Sequence, residues 1–472
     1  EKSALSPRKL SKDFQTNISL LGLEERNLQE RFAQKVQECL QEETISFIQA
    51  QTGIGKTYGY LLPALSLENE SGILLSVPTK ILQNQVMHEE AKKLEEIFHI
   101  SIHSLKGPQN YLKLDSFHAA LEEEESNRLY TRFKMQLLVW LTETDTGDLD
   151  EIGQLYRYQQ FLPNLVHDGN LHKDSLFWLE DFWRRGQEKA RSCKLLVTNH
   201  AYLVTRLEDD PGLLEGRFLI LDEAQKILLT LENLSRKTYL LTDLLEQLDQ
   251  VLSTEEGMLE RRLLESIRFE LSYLLEKFLS GKRKICPASS IDKLRQDFSE
   301  LNLIEFKDYQ RFFSSEGEFW LSVSELSSKK IEITSSRDQR LLFSQIFPES
   351  CQLLGISATL EISSRVSLPE LLGFPQANIY YLDEQFQENQ EIFLVNDFPL
   401  VTEVSLEEYA LAVVEVLEEL FQFEEPILVL FTAKDLLLQV SDTLRIPHLA
   451  QYKHGEPAQL KKRFERGERE LL

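Results

Sequence analysis

Cysteine is scarce in this chain: four among 472 residues, at Cys39, Cys193, Cys286 and Cys351, with no Cys-x-x-Cys pair. Zinc or cluster spacing is therefore absent, and a reducing cytoplasm is the default compartment. Long apolar runs are missing too. None reaches the ~18 residues that a membrane span needs, and the N-terminus carries no signal peptide, so no membrane partner is expected. Positive charge is short: 52 Lys and Arg stand against 77 Asp and Glu, a net charge of -25. That balance argues against a generally basic surface that coats nucleic acid. It leaves open a narrow groove that grips one strand through backbone amides, hydroxyls and a few cations, where the local field decides. What is present, 42% hydrophobic and 27% charged residues, is the composition of a soluble globular protein, and the length suggests about three domains.

The chain is organised around Ala50 to Thr57, A-Q-T-G-I-G-K-T. An apolar, β-branched run, Thr44 to Ile48, precedes it, and a helical stretch, Tyr58 to Leu65, follows. Strand, glycine turn and a helix opening on Lys-Thr form a phosphate-binding loop, with Ala50 where the general pattern has its first glycine. Gly53 and Gly55 permit positive φ, so the backbone N-H groups of Thr52 to Gly55, Ile54 included, turn toward an anion at the positive end of the helix dipole. Lys56 then reaches the β- and γ-phosphates and Thr57 ligates Mg²⁺.

A second signal is Phe218 to Gln225, F-L-I-L-D-E-A-Q. Four apolar residues fit a parallel strand buried on both faces, and two carboxylates appear where it emerges. Asp222 is expected to hold Mg²⁺ through water and Glu223 to polarise the water that attacks the γ-phosphate. Both motifs serve one nucleotide only if folding sets them side by side, and the expectation is neighbouring strands.

Further candidates lie at strand ends. Arg26 and Gln29, one helical turn apart at the start of a pattern spaced on Phe32, Val36 and Leu40, are placed to face one ligand. Thr79 and Lys80 follow the strand Ile73 to Val77 and open an amphipathic helix, Ile81 to Phe98. They suit donation to a phosphodiester backbone, and Thr79 also suits a helix N-cap; both can hold at once. Asn199 and His200 follow Lys194 to Val197, where a polynucleotide or a structural contact fits better than acid/base chemistry. Ser357, Ala358 and Thr359 end the buried run from Cys351, either as a plain strand-to-turn transition or as the coupling between nucleotide and bound strand. Thr432 follows Ile427 to Phe431, which with helices 406–421 and 434–444 reads as the start of a second parallel α/β unit.

Two stretches break the βαβ rhythm. Residues 104–191 carry helical segments with an acidic run, Glu122 to Glu125, and aromatics Phe177, Trp178, Phe182 and Trp183 that suit a core better than a stacking platform. Residues 227–340 carry two leucine faces, 240–248 and 263–275, read as an intramolecular helix pair rather than a seam for a partner. Two short strands, 319–323 and 331–334, close this segment. A charged helix is expected over 459–469, and a further strand is due at Leu471-Leu472.

In this order, Arg26-x-x-Gln29, A-Q-T-G-I-G-K-T, V-P-T-K, T-N-H, D-E-A-Q, G-I-S-A-T-L and L-F-T-A resemble the superfamily 2 helicases of the XPD/DinG type, over most of residues 20–472. The resemblance implies an α/β fold: a RecA-like P-loop parallel sheet interrupted by two mainly helical insertions, plus the start of a second RecA-like lobe. The boundaries it implies are lobe 1 over 1–105, 191–227 and 341–360, a cluster-position insertion over 106–190, an arch-like insertion over 228–340, and lobe 2 over 361–472. It implies an ATP- and Mg²⁺-dependent motor that moves 5′ to 3′ on single-stranded DNA, or on a duplex with a single-stranded tail, in DNA repair or replication. Gln29 reads adenine in this picture, Lys56 and Thr57 hold phosphates and Mg²⁺, Asp222 and Glu223 serve metal and water, and Ser357 to Thr359 link the lobes.

Three departures qualify it. The segment Lys106 to Leu112 is followed by Lys113 where many relatives place a cluster cysteine, and only Cys193 lies at the far end, so no iron-sulfur cluster is expected. Gln225 stands where the family has His, which alters coupling without removing it. The family's later motifs, with their phosphoryl-stabilising arginines, lie beyond Leu472, so the chain is expected to be C-terminally incomplete and to turn over ATP poorly alone. An exonuclease domain, fused or separate, would lie outside this chain, which has no spaced carboxylates of that kind. Two alternatives stay open: an RNA-directed or protein-remodelling P-loop ATPase, and an inactive helicase-like module that binds nucleic acid or partners.

Overall fold

The apolar runs read from the sequence become the strands of one parallel sheet. The computed structural model describes residues 9–467 except 43, 68–71, 124–126, 154, 171–172, 210, 255–256, 282–283, 316, 325–326, 337–341, 349–350, 364, 383–392, 424, 456–459, 461–462 and 465. The chain divides into two units, Glu1–Glu384 and Gln385–Leu472. In the first, the strands are β1 (Ser46–Gln49), β2 (Gly72–Val77), β3 (Ile102–Ser104), β4 (Leu195–Asn199), β5 (Arg217–Leu221), β6 (Leu353–Ser357) and β7 (Asn378–Tyr381). Their spatial order is β7-β1-β6-β5-β2-β4-β3, every pair parallel.

Alternation along each strand supplies two cores. Ile48, Ile73, Leu75, Phe218, Ile220, Leu354 and Ile356 pack on one face against helices Asn27–Gln41 and Lys56–Leu65. Phe47, Leu74, Leu196, Leu219, Leu221 and Leu353 pack on the other, with Leu203 and Leu207 of helix His200–Asp209 and Ile227 and Leu231 of helix Lys226–Ser235. Burial on both faces is why these strands read as unbroken apolar runs rather than alternating ones. Because all seven run the same way, their C-terminal ends meet at one edge, where an open α/β sheet collects its ligand groups.

The expected second-lobe start at 361 differs from what is seen. Residues up to 384 stay with the first unit, since β7 pairs with β1 in register Ser46 to Asn378 and becomes the sheet's edge. Its sequence, Asn-Ile-Tyr-Tyr, is short and half-exposed, so no apolar run marks it as part of the core.

The insertion after β3 has a small core of its own, including Phe117, Phe133, Leu137 and Leu165. Helices Leu114–Glu122 and Arg128–Leu141 contribute to it, and Phe133 stacks on Tyr158 with ring centroids 4.4 Å apart. Lys106, its side chain 1% exposed, ties the insertion's base through ion pairs to Asp148 (2.5 Å) and Asp150 (2.9 Å). Phe182 and Trp183 are buried against Tyr111 and Tyr202, as core aromatics are, while Phe177 and Trp178 are half-buried. The expected acidic run extends outside the described residues at 124 and 125.

The second insertion packs both leucine faces into one core, with helices Leu241–Thr254 and Met258–Leu279 side by side. The two expected strands are Phe319–Ser324 and Ser327–Ser336, and a third, Arg236–Leu240, pairs antiparallel with the latter. Leu240 therefore ends a strand rather than belonging to the helical face.

The second unit pairs helix Leu406–Leu420 with helix Lys434–Thr443. The first opens on a capping box, Ser405 with Glu408, as the Ser-x-x-Glu spacing dictates. Residues 427–431 are not a ladder strand among the described residues. Ile427, Val429 and Phe431 pack on the helices while Leu428 and Leu430 are 60% and 85% exposed, so this segment is covered on one face only. The charged helix expected over 459–469 lies mostly outside the described residues, as do Leu471 and Leu472.

Candidate nucleotide site and groove

The phosphate loop forms where β1 ends. Gly53 and Gly55 take φ of +85° and +83°, and helix Lys56–Leu65 begins directly after Gly55. At Gly55 a side chain is barred twice, by that φ and because a Cβ would lie 2.2 Å from Gln29 Nε2. Gln29, buried, donates from Nε2 to the Gly55 carbonyl at 2.8 Å, and Arg26 donates from Nη1 to the Gly53 carbonyl at 3.3 Å. The two residues picked one turn apart thus both grip the loop backbone. Thr52 and Gly53 are exposed at its tip, whereas Ile54 is buried and anchors the loop in the core.

Asp222 and Glu223 emerge from β5, and β6 stands between β5 and β1. The expectation of neighbouring strands is corrected here: apolar runs carry no information on strand order, and the Ser357 strand takes the middle place. The acidic pair still meets the loop, because Lys56 Nζ and Glu223 Oε1 form an ion pair at 2.5 Å, with side chains only 11% and 22% exposed. Glu223 reaches Lys56 from a backbone φ of +48°, a left-handed conformation that costs a non-glycine residue about 1–2 kcal/mol. Strain of this kind collects at functional sites.

The hydrogen bonds continue from there. Gln225 donates from Nε2 to Glu223 Oε2 at 2.8 Å, and Ser357 Oγ donates to Gln225 Oε1 at 2.7 Å. Ser357 Oγ also accepts from the Thr359 N-H at 3.0 Å. Lys56, Glu223, Gln225 and Ser357 therefore form one connected line across three strand ends, with Ala358 half-buried and Thr359 exposed just beyond.

The two carboxylates are set apart electrostatically. Burial pushes the Asp222 carboxyl up to about 6, partly offset by Lys56 and reinforced by Glu223. Burial also pushes Glu223 up, but the Lys56 and Gln225 hydrogen bonds outweigh it and hold Glu223 below the ordinary range. Asp222 Oδ1 is buried without a hydrogen-bond partner among the described residues. A bare carboxylate oxygen is the type of ligand that a hard divalent cation such as Mg²⁺ takes.

The residues picked for nucleic acid separate. Thr79 and Lys80 are exposed, Thr79 Oγ1 capping its helix by accepting from the Leu82 N-H at 3.2 Å. Lys80 Nζ donates to Asn110 Oδ1 at 2.8 Å, joining the sheet edge to the first insertion across a groove of about 620 Å³ that Asn170 and Arg206 also line. Asn199 is nearly buried: its amide donates to Gln83 Oε1 at 2.9 Å, and its carbonyl oxygen accepts from the Tyr202 N-H at 3.0 Å. Gln83, absent from the motif reading, is a fully buried hub that also donates to the Leu105 and Val197 carbonyls.

His200 offers no surface at all. It is 0% exposed, its Nδ1 is 2.8 Å from Ser76 Oγ, and it lies beside the backbone of Asp222 and Glu223. A nucleic-acid contact by this side chain is corrected to a structural one, because the helix starting at His200 turns the ring inward. Thr432 is exposed in the second unit.

Burial pushes His200 down to about 4. An unfolded chain takes up that proton near pH 6.5 and the folded one does not, so His200 costs stability as pH falls from about 6.5 to about 4, by up to roughly 3 kcal/mol. The gap in unfolding midpoint between wild type and His200→Gln should therefore narrow between pH 7.5 and 5; a constant gap would contradict the assignment.

Residues 28–140 match the DEAD/DEAH box helicase family. A 3′-5′ exonuclease DinG of Bacillus subtilis (strain 168) is 32% identical over 213 residues, 43% of this chain and 22% of that protein. Its counterpart in Staphylococcus saprophyticus is 31% identical over 216 residues, 44% of this chain and 23% of that protein. The match thus spans less than a quarter of these relatives' length. A solved XPD helicase superposes with a TM-score of 0.53 at 15% identity, covering 95% of this chain and 80% of that one, which is a likeness of fold.

Proposed function

Because this chain belongs to the superfamily 2 helicases of the XPD/DinG type, we propose that it is the motor of an ATP-dependent DNA helicase, coupling ATP hydrolysis to 5′-to-3′ movement on single-stranded DNA in repair or replication. The observation that carries this reading is the line Lys56-Glu223-Gln225-Ser357, which ties phosphate loop, acidic pair and strand-end hydroxyl into one network.

In this mechanism Arg26 and Gln29 hold the loop, with Gln29 turning to adenine. Lys56 leaves Glu223 for the β- and γ-phosphates, and Glu223, released, orients the attacking water and accepts its proton. Thr57 and Asp222 hold the Mg²⁺, which neutralises phosphate charge when bound. Gln225 keeps its bonds to Glu223 and Ser357, so a change at the phosphate is felt at the β6 edge. Thr79 and Lys80 contact the strand, while Asn199 positions that corner from beneath; Thr432 is a proposed strand contact of the second unit taken by itself.

The first insertion is proposed to carry no iron-sulfur cluster. Lys113, in the place of the cluster cysteine, pairs with Asp168 at 2.7 Å, and burial raises the Cys193 thiol, which disfavours a thiolate ligand. About four irons per chain in anaerobically purified protein would overturn this. The DinG relatives are named 3′-5′ exonucleases; any nuclease activity is proposed to lie in a separate or fused module, because this sequence has no spaced carboxylates of that kind.

The test is ATP hydrolysis by the full-length protein alone, with single-stranded DNA and with single-stranded RNA. Stimulation by DNA is expected, with unwinding of a duplex bearing a 5′ tail. Stimulation by RNA alone would favour the RNA-directed reading, and no hydrolysis in any arm would leave a binding module.

A further inference from the structure

The Asp222 side of the site rests on polar groups that none of the motifs contains. Tyr60, one turn after Thr57 in its helix, is 0% exposed. Its hydroxyl faces Thr57 and Asp222, with no partner at full hydrogen-bond distance among the described residues. Glu90 approaches from another element. The helix after Lys80 is α-helical over Lys80–Val86 and Lys92–Phe98 but winds as a π-helix over Met87–Ala91. Glu90 Oε2, on that π turn, is likewise buried without a partner, and Asp222 Oδ1 is a third such atom. The three groups belong together: Tyr60 feels the charge of both carboxylates, and Glu90 that of Asp222.

A buried polar atom left unpaired costs about 1–3 kcal/mol, and packed interiors tolerate few of them. Three within mutual electrostatic reach mark a place built for something else. Ionised carboxylates only accept hydrogen bonds, so whatever joins Asp222 and Glu90 must donate hydrogen bonds or carry positive charge, while the Tyr60 hydroxyl can donate or accept. Short π turns inside α-helices recur at functional sites, and here the turn directs Glu90 inward while the adjacent Glu89 is exposed.

We propose that Tyr60 and Glu90 complete the magnesium site as positioning residues, holding the water molecules of the ion that Thr57 and Asp222 bind. The proposal rests on the ATP-site reading above and adds two residues to it. Groups that orient a metal's ligands in this way change metal affinity by about 10- to 100-fold when removed. They do not touch the nucleotide, so they leave metal-free nucleotide binding alone.

The experiment is a titration of a fluorescent ATP analogue on the full-length protein across free Mg²⁺, with EDTA as the metal-free arm. Tyr60→Phe and Glu90→Gln should each raise the Mg²⁺ concentration at half-effect by about tenfold or more. Binding in EDTA should match wild type, as should Glu89→Gln throughout. An unchanged Mg²⁺ midpoint in Glu90→Gln, or an equal loss in EDTA, would overturn the proposal. Glu90, only partly buried, keeps the test open if Tyr60→Phe does not fold. Should wild type bind no nucleotide in any arm, the ATP-site reading itself falls, an outcome distinct from variants that merely behave like wild type.

Discussion

Glu223→Gln is expected to lower the turnover number for ATP hydrolysis by about 10²- to 10⁴-fold, the range a positioned general base contributes, while the full-length protein still binds ATP. The substitution keeps the shape of the side chain but leaves one acceptor oxygen where Glu223 uses two, so it can accept from Lys56 or from Gln225 but not from both. It removes the negative charge that a water proton needs. Glu223 is fitted to that task because Lys56 and Gln225 hold it ionised against burial, and because its left-handed backbone aims it at the phosphate loop. Turnover measured beside nucleotide affinity separates chemistry from binding. An unchanged rate would remove the assignment; lost binding would make Glu223 a structural partner of Lys56.

Lys56→Ala should act earlier, on binding. Truncating one member of a buried charge pair costs about 2–5 kcal/mol, so nucleotide affinity should fall at least about 30-fold. The local reason is specific. Without the Lys56 cation, Glu223 and the buried Asp222 would face an incoming triphosphate without the strongest cationic partner either carboxylate has. Burial, reinforced by Glu223, already lifts Asp222 to about 6 with Lys56 present. Lys56→Arg should not restore binding fully, because a planar fork cannot replace a point charge in a loop that closes around it. Titration of an ATP analogue reads this directly, and wild-type affinity in Lys56→Ala would show that the loop holds no triphosphate.

Much of this site was legible because its requirements are local. Gly53 and Gly55 announce positive φ, and the runs at 73–77, 195–199, 218–221 and 353–357 announce strands buried on both faces. What could not be read is order and orientation. No residue says that β6 separates β1 from β5, since every central strand has the same apolar character and only tertiary packing ranks them. His200 follows a strand end like Thr79, yet one is sealed and the other open; the difference is that a helix starts on His200 itself, whereas Thr79 caps the outside of its own. β7 carries too few apolar residues to announce a strand and joins the sheet only because β1 offers it an edge. Lys80 meeting Asn110, and Tyr60 coming within the field of Glu90, depend on side chains 30 residues apart being brought together, which no periodicity encodes.

All of this depends on one Mg²⁺-nucleotide touching the Lys56 loop and the Asp222-Glu223 turn at once. The most direct measurement is a crystal structure of the protein with Mg²⁺ and a non-hydrolysable ATP analogue. The account predicts Lys56 on the β- and γ-phosphates, its pair with Glu223 opened, and the metal between Thr57 and Asp222. A nucleotide bound elsewhere, or bound in the loop with the Lys56-Glu223 pair intact and no metal near Asp222, would contradict it.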